Sequence, residues 1–242
     1  MPKNYLLTGA SRGLGLEIAR VLLSQGANVW AVSRTEGAEL QSLARLYGDK
    51  LRFLSFDLAR ADLIKESVFD AFVTNKNPLH GFVNNAAIAY DDIVTNLSLD
   101  PLRSMFEINV FSPMVATKYA IRNMLLHNVR GAIVHVSSIS VHTGYKGLAM
   151  YAASKGALEA FSKNTAREWG ERGIRSNALV AGFMETAMSD KIDGVTRSRI
   201  FARTALRKPT ELRSVAETAA FILGEGASSI TGQAIHVDSG TI

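Results

Sequence analysis

The chain has 242 residues, 47% of them hydrophobic and 20% charged, with a formal net charge of +5 and no cysteine. This is too apolar for a disordered chain, and the lack of cysteine excludes disulfides, thiolate metal sites and thiol nucleophiles together and fits a reducing compartment. Lys and Arg are spread along the sequence rather than gathered into a basic block. The charge therefore reads as a mildly positive solvated surface, with an acidic partner or phosphorylated substrate as the alternative and no nucleic-acid footprint.

The chain opens on KNYLLTGA, a strand running straight into a glycine turn, without the charged, apolar and small-residue regions of a signal peptide. No apolar run approaches the roughly 18 residues of a membrane span, so a cytoplasmic, soluble protein is expected. After NYLLT comes the amphipathic stretch GLGLEIARVLLSQG; ANVWAV leads to EGAELQSLARLYG, and LRFLSF to a helix-like segment near 60–75. HGFVNN precedes a long helical span from Pro101 to His127, AIVHVSS precedes one from about Leu148 to Glu171, and IRSNALV and QAIHVDSG complete seven strands. Strands that are apolar nearly throughout and alternate with helices predict a parallel sheet covered on both faces. No linker interrupts the chain, so residues 1–242 read as one domain.

The punctuation supports these elements. Gly26 reads as the C′ glycine of the first helix, and Asp100-Pro101 as an N-cap followed by proline at the first helical position. Pro113 lies inside a helical pattern and predicts a kink, or a helix that starts later. The five histidines, His80, His127, His135, His142 and His236, have no metal-ligand spacing, and no metal site is expected.

TGASRGLG, Thr8 to Gly15, lies between the first strand and the first helix, where a doubly wound sheet binds nucleotide phosphates. Gly9 permits a tight exit from the strand, Gly13 a close backbone approach to a pyrophosphate, and Gly15 close packing of helix on sheet. A plain glycine-rich βα turn is the alternative. The spacing Gly-x3-Gly-x-Gly behind a threonine resembles the cofactor turn of the short-chain dehydrogenase/reductase family. NNAA at 84–87 and FDL around Asp57 resemble that family's adenine-side and structural motifs, with Ala87 where most members have glycine. LVAGFMET resembles its nicotinamide-side loop, with Ala181 in place of the usual proline, which predicts a looser loop entry.

The strongest part of the resemblance is YAASK. Tyr151 and Lys155 stand one helical turn apart on one face, Ser138 ends the fifth strand thirteen residues earlier, and Asn109 lies in MFEIN. Singly, each of these residues has an ordinary structural reading; in this order behind a glycine turn they match the family's catalytic set. Carbonyl reduction by hydride transfer builds negative charge on oxygen, which calls for a proton donor and a hydrogen-bond donor there. The resemblance implies Tyr151 as general acid, Ser138 orienting the substrate oxygen, Lys155 lowering the phenol's pKa and holding the nicotinamide ribose, and Asn109 supporting a water-linked proton relay.

What the resemblance implies for the whole chain is a single-domain, doubly wound Rossmann fold with a seven-stranded parallel sheet. It implies cofactor contacts at Gly9, Ser11, Arg12, Gly13, Leu14 and Gly15, at Arg34, at Asp57 and Leu58, at Asn85 and Ala86, at Tyr151 and Lys155, and at Gly182, Met184 and Thr186. Ser33-Arg34 stands where an acid would take the NAD ribose, and Arg12 lies in the turn, so NADPH/NADP is the expected cofactor. Within the family, SRGLG, GFMET, AREWGERGIRSN and ITGQAIHVDSG look most like 3-oxoacyl-[acyl-carrier-protein] reductases. That subgroup docks an acidic acyl carrier protein beside the site entrance, for which Arg130 and Arg172 are candidates, and homotetramers are the family habit. The loop from about Met184 to Arg203 would form the substrate lid. Reduction of another carbonyl (acetoacetyl-CoA, a free ketone or a quinone) or a non-catalytic nucleotide-binding subunit are the alternatives.

Overall fold

Seven strands, β1 (Asn4–Thr8), β2 (Asn28–Ser33), β3 (Leu51–Ser55), β4 (Gly81–Asn84), β5 (Ala132–Ser138), β6 (Arg175–Ala181) and β7 (Ala234–Val237), form one sheet in the order β3-β2-β1-β4-β5-β6-β7. Every neighbouring pair is parallel. The structure, a computed structural model, describes residues 2–186 and 193–241.

The five inner strands are buried nearly throughout because both faces of the sheet are covered there, while the edge strands β3 and β7 are partly exposed. Side chains alternate between two cores. Leu7, Val29, Ala31 and Val134 pack with α1 (Gly13–Ser24) and α8 (Leu212–Leu223), while Leu6, Trp30, Val32 and Ile133 pack with α4 (Ser112–Leu126) and a π-helical segment, Ile64–Val73. α2 (Ala38–Tyr47) follows β2, α6 (Ala149–Trp169) joins β5 to β6, and α7 (Gly194–Arg203) lies between β6 and α8. The chain runs outward through β1, β2 and β3, then crosses back to place β4 on the other side of β1. This makes the fold a doubly wound, Rossmann-type sheet whose crevice at the carboxyl ends of β1 and β4 is the position for a ligand. Among the described residues, no helix is long and apolar enough to cross a membrane.

Local details refine the sequence reading. Gly26 takes φ +83° and its N–H bonds the Leu23 carbonyl at 3.0 Å, as a C′ glycine should. The long span after β4 begins earlier than expected: Ser98, extended at φ −114°, is the N-cap of α3 (Leu99–Phe106), so Asp100 and Pro101 lie inside the first turn. Proline is tolerated there because first-turn N–H groups have no helical acceptor. Further on, the span widens into a π-helical turn, Glu107–Phe111, before α4 begins with Pro113 as its second residue. Pro113 has no N–H to give the carbonyl four residues back, that of Asn109, and the helix changes its pitch there.

Gly15 is where helix meets turn most closely: a Cβ there would stand 2.1 Å from the Gly9 carbonyl oxygen and 2.5 Å from Asn85 Nδ2. Gly170, by contrast, has helical φ −59° and open space around it. Gly15→Ala is expected to cost about 2 kcal/mol or more, and Gly170→Ala to stabilise by about 0.5 kcal/mol. Thermal unfolding of the two variants beside the parent checks both signs.

Candidate active site

The glycine turn is clamped from β4. Thr8 Oγ1 accepts from the Asn85 N–H at 3.1 Å and the Ala86 N–H at 3.2 Å, and Asn85 Nδ2 donates to the carbonyls of Thr8 and Gly9 at 3.0 and 3.2 Å. Gly9 and Gly13 both take positive φ, +71° and +56°, and nothing but a Thr186 methyl at 3.9 Å approaches the space a Cβ on Gly13 would fill. The turn therefore presents bare backbone at the amino end of α1, the geometry that receives phosphate. Asn85, expected as a cofactor contact, has its amide nitrogen committed to shaping this turn. Ala87, off the glycine pattern, avoids positive φ and is unstrained.

Below the turn lies a cavity of about 1050 Å³, lined by Gly9, Ser11, Arg12, Gly13, Leu14, Gly15, Arg34, Asp57, Leu58, Asn85, Ala86, Ser138, Tyr151, Lys155, Gly182, Met184 and Thr186. At one end are Arg12 and Arg34; Glu39 also lines this end, with Arg20 of α1 3.9 Å away. Ile139, Leu148, Phe183 and Ile200 give the same cavity an apolar share of its wall, beside Tyr145, Ser138 and Tyr151. Every anticipated site residue except Asn109 lines this one space. Among the described residues, no group of three or more histidines or acids is placed to hold a metal ion.

The reactive groups are set by β5 and α6. Ser138 ends β5, and its Oγ accepts two hydrogen bonds from Ser140, at 3.2 Å from the N–H and 3.0 Å from the hydroxyl. With its acceptor side occupied, the Ser138 hydroxyl proton is left to donate. Ser140, in the short α5 (Ser140–Thr143), was not singled out from the sequence; a hydroxyl two residues past the strand-end serine was the available signal. Lys155, only 2% exposed, donates from Nζ to the Val136 carbonyl at 2.8 Å and lies 5.8 Å from the centre of the Tyr151 ring. Asn109, fully buried in the π-helical turn, exchanges two hydrogen bonds with the Ile88 backbone, at 2.9 and 2.8 Å, and gives a third to Ser154 Oγ at 3.1 Å. It pins the loop after β4 to α6.

The electrostatics depart from expectation at the tyrosine. Burial, with the Asp91 carboxylate second, pushes the Tyr151 phenol up to about 12 rather than down, and burial pulls the Lys155 ammonium down to about 8. In this environment loss of solvation outweighs the attraction of one ammonium for a phenolate. His135 of β5 is buried and pulled down to about 3, so it is neutral at working pH; its Nδ1 meets Asn84 Nδ2 at 2.9 Å. Behind Ser138, Ser137 donates to Glu159 of α6, which also meets His142 Nε2 at 3.0 Å and so ties α5 to α6.

Three further expectations can be set against the structure. Ala181, for which a looser loop entry was expected, is the last ladder residue of β6; it is buried, and its carbonyl accepts from the Ile139 N–H at 3.0 Å. Arg130 and Arg172 precede β5 and β6, so they lie at the amino edge of the sheet, about 20 Å of strand away from the cavity of their own chain. There the Arg130 side chain packs over Gly173. Part of the anticipated lid, residues 187–192, lies outside the described residues.

A family model described as enoyl-(acyl carrier protein) reductase matches residues 9–241. The chain belongs to the short-chain dehydrogenase/reductase family. Among curated relatives, the 3-oxoacyl-[acyl-carrier-protein] reductase of Chlamydia trachomatis is 32% identical over 98% of this chain and 96% of its own length. Among solved structures, a blue fluorescent protein from a metagenomic library, in complex with NADPH, superposes with a TM-score of 0.89 at 28% identity, covering 99% of this chain and 97% of that one. ElxO with NADP bound gives a TM-score of 0.90 at 27% identity, covering all of this chain and 99% of that one.

In this short-chain dehydrogenase/reductase, the buried lysine sets a measurable conflict between site and stability. Because folding pulls Lys155 below its ordinary value, the unfolded chain binds more protons between about pH 8 and the free-lysine value, and this site's contribution to stability rises with pH across that window. Lys155→Met is expected to raise Tm at pH 7 by about 2 to 8 °C and to remove that rise; thermal unfolding from pH 7 to 10, variant against parent, measures it.

Proposed function

We propose that the protein reduces a 3-oxoacyl thioester to the 3-hydroxyacyl thioester with NADPH, and that an acyl carrier protein delivers the substrate. The observation that carries this reading is the convergence of a protonated phenol, a serine hydroxyl whose acceptor side is already filled, and a buried ammonium on one cavity with an apolar acyl-sized end and an arginine-lined ribose end. The 3-oxoacyl reductase relatives supply the substrate class, and the NADP-bound neighbours the cofactor.

The cofactor's expected features fit the chain. The open backbone at Gly13 would hold the pyrophosphate, Arg12 and Arg34 the ribose phosphate, and Lys155 and Thr186 the nicotinamide half. A nicotinamide dinucleotide bound there supplies the hydride. The chain's own residues do the rest. Ser138 donates to the carbonyl oxygen and fixes its position; Tyr151, held as a phenol by its raised pKa, gives its proton to the oxygen as negative charge develops. An alkoxide is a far stronger base than a phenolate, so the transfer runs downhill even from a phenol at about 12. Asn109 keeps the loop carrying Asp91 fastened to α6. The cysteine-free composition fits a cytoplasmic enzyme. Exposed Phe111 and Leu126, 50% and 62% accessible at the two ends of α4, are compatible with assembly into a homotetramer across that helix.

The direct test is oxidation of NADPH with 3-oxoacyl and enoyl thioesters, each on carrier protein and on coenzyme A. Turnover of the carrier-bound 3-oxoacyl form, lost by about 10²-fold or more in Tyr151→Phe, supports the reading; turnover of the enoyl form alone, or of a free ketone in preference, contradicts it. The pH dependence has a definite sign. Reduction uses the phenol and should be flat through neutrality, whereas the reverse oxidation needs phenolate and should climb about tenfold per pH unit below the phenol's pKa. For the cofactor, Arg34→Ala should cut the preference for NADPH over NADH by about tenfold or more, the value of a charge-assisted contact, as read by the KM for each dinucleotide.

A further inference from the structure

A carrier protein must present its thioester at the cavity mouth, whereas Arg130 and Arg172 precede β5 and β6, at the amino edge of the sheet in their own chain. The mouth has cations of its own. In α7, Ile200 lines the cavity and Phe201 packs against Phe183 with ring centres 5.8 Å apart, so one side of this helix closes over the apolar end. Arg199 and Arg203, one turn apart, leave from a common face of the helix, and both are exposed, as are Arg207 and Lys208 in the loop that follows. Between Asp193 and Glu211 the sequence has five basic residues against two acidic ones, three of the chain's net charge of +5. Both acids are engaged: Asp193 caps α7 by accepting from the Thr196 N–H at 2.9 Å, and Glu211 pairs with Lys208 at 2.7 Å. Arg197 turns toward Glu185 at 3.9 Å. Among the described residues, Arg199, Arg203 and Arg207 make no ion pair.

The platform is also fixed. The Ala205 and Leu206 N–H groups bond the carbonyls of Gly240 and Ser239 at 2.9 and 3.0 Å, which ties the basic loop to the chain beyond β7. In the middle of these cations Leu206 is 63% accessible, an apolar anchor inside a charged rim.

Resting on the function proposed above, we infer that this face, formed by Arg199, Arg203, Arg207 and Lys208 around Leu206, is the docking surface for an acidic carrier protein. The ten residues of α7 span about 15 Å, suited to the side of an acidic helix and longer than a coenzyme A phosphate cluster requires. The docked carrier would then lie directly over the entrance, with its tethered thioester passing beneath α7.

The test uses the full chain with NADPH bound and the double variant R199E/R203E, with R199Q/R203Q as a milder partner and R130E/R172E for comparison. Binding of a fluorescently labelled acyl carrier protein, read by anisotropy, requires no turnover and so separates this inference from the reaction assigned above. The expected result is binding weakened about tenfold or more by R199E/R203E, less by R199Q/R203Q, with a reduced salt dependence, and a matching rise in KM for the carrier-bound 3-oxoacyl thioester. The uncharged N-acetylcysteamine thioester should keep its kcat/KM within about twofold. Weakened binding in R130E/R172E with unchanged binding in R199E/R203E would overturn the inference. So would an equal loss on the N-acetylcysteamine thioester, which would make α7 a pocket wall, or on acetoacetyl-CoA, which would make the surface a phosphate reader.

Discussion

Lys155 carries a charge into a place with 2% exposure, and the Val136 carbonyl 2.8 Å away is what receives it. A buried ammonium without an acceptor is costly, so this bond obliges α6 to lie against the carboxyl half of β5 in one register. The other groups of the site follow from it. Tyr151, Lys155 and Glu159 repeat every four residues along one stripe of α6; the first faces the cavity, the second meets Val136, and the third meets Ser137 and His142. Ser138 is the next residue of the same strand. On the function proposed above, Lys155 would be a group that weakens the fold for the sake of the site, a trade that active sites commonly make.

The same burial that depresses Lys155 raises Tyr151, and the two shifts together define the resting site: a neutral phenol beside an ammonium near its titration range. For the carbonyl reduction proposed above, the proton to be delivered is already in place. Asp91 reinforces it by disfavouring phenolate. The family resemblance suggested an activated, acidified tyrosine, which is the state the oxidative direction would need.

Much of this was legible in the sequence because local chemistry fixed it. Alternating strands and helices gave the parallel sheet to within a few residues, and the glycines of the turn, Ser138 and YAASK pointed to residues that line one cavity. What was not legible arises from pairing over long distances or from competition between local signals. The strand order, with β4 beside β1, depends on residues some 75 positions apart. The π-helical turn at Asn109 results from Pro113 withholding an N–H, which sequence could flag only as a disturbance. Helix α8, with Val215, Ala219 and Ile222 buried, was not separated from its surroundings although its apolar stripe was present. Where Arg130 and Arg172 stand was not legible either: the direction of β5 and β6 places them at the amino edge of the sheet in their own chain.

The central claim is that the resting site holds Tyr151 as a neutral phenol. Ultraviolet difference titration of the purified protein against Tyr151→Phe, following phenolate absorbance as pH rises, isolates this one of six tyrosines. The account predicts a difference signal that titrates well above the ordinary phenol value, toward about 12. A signal at or below the ordinary value would contradict it, and would mean that Lys155, not burial, sets the tyrosine's proton.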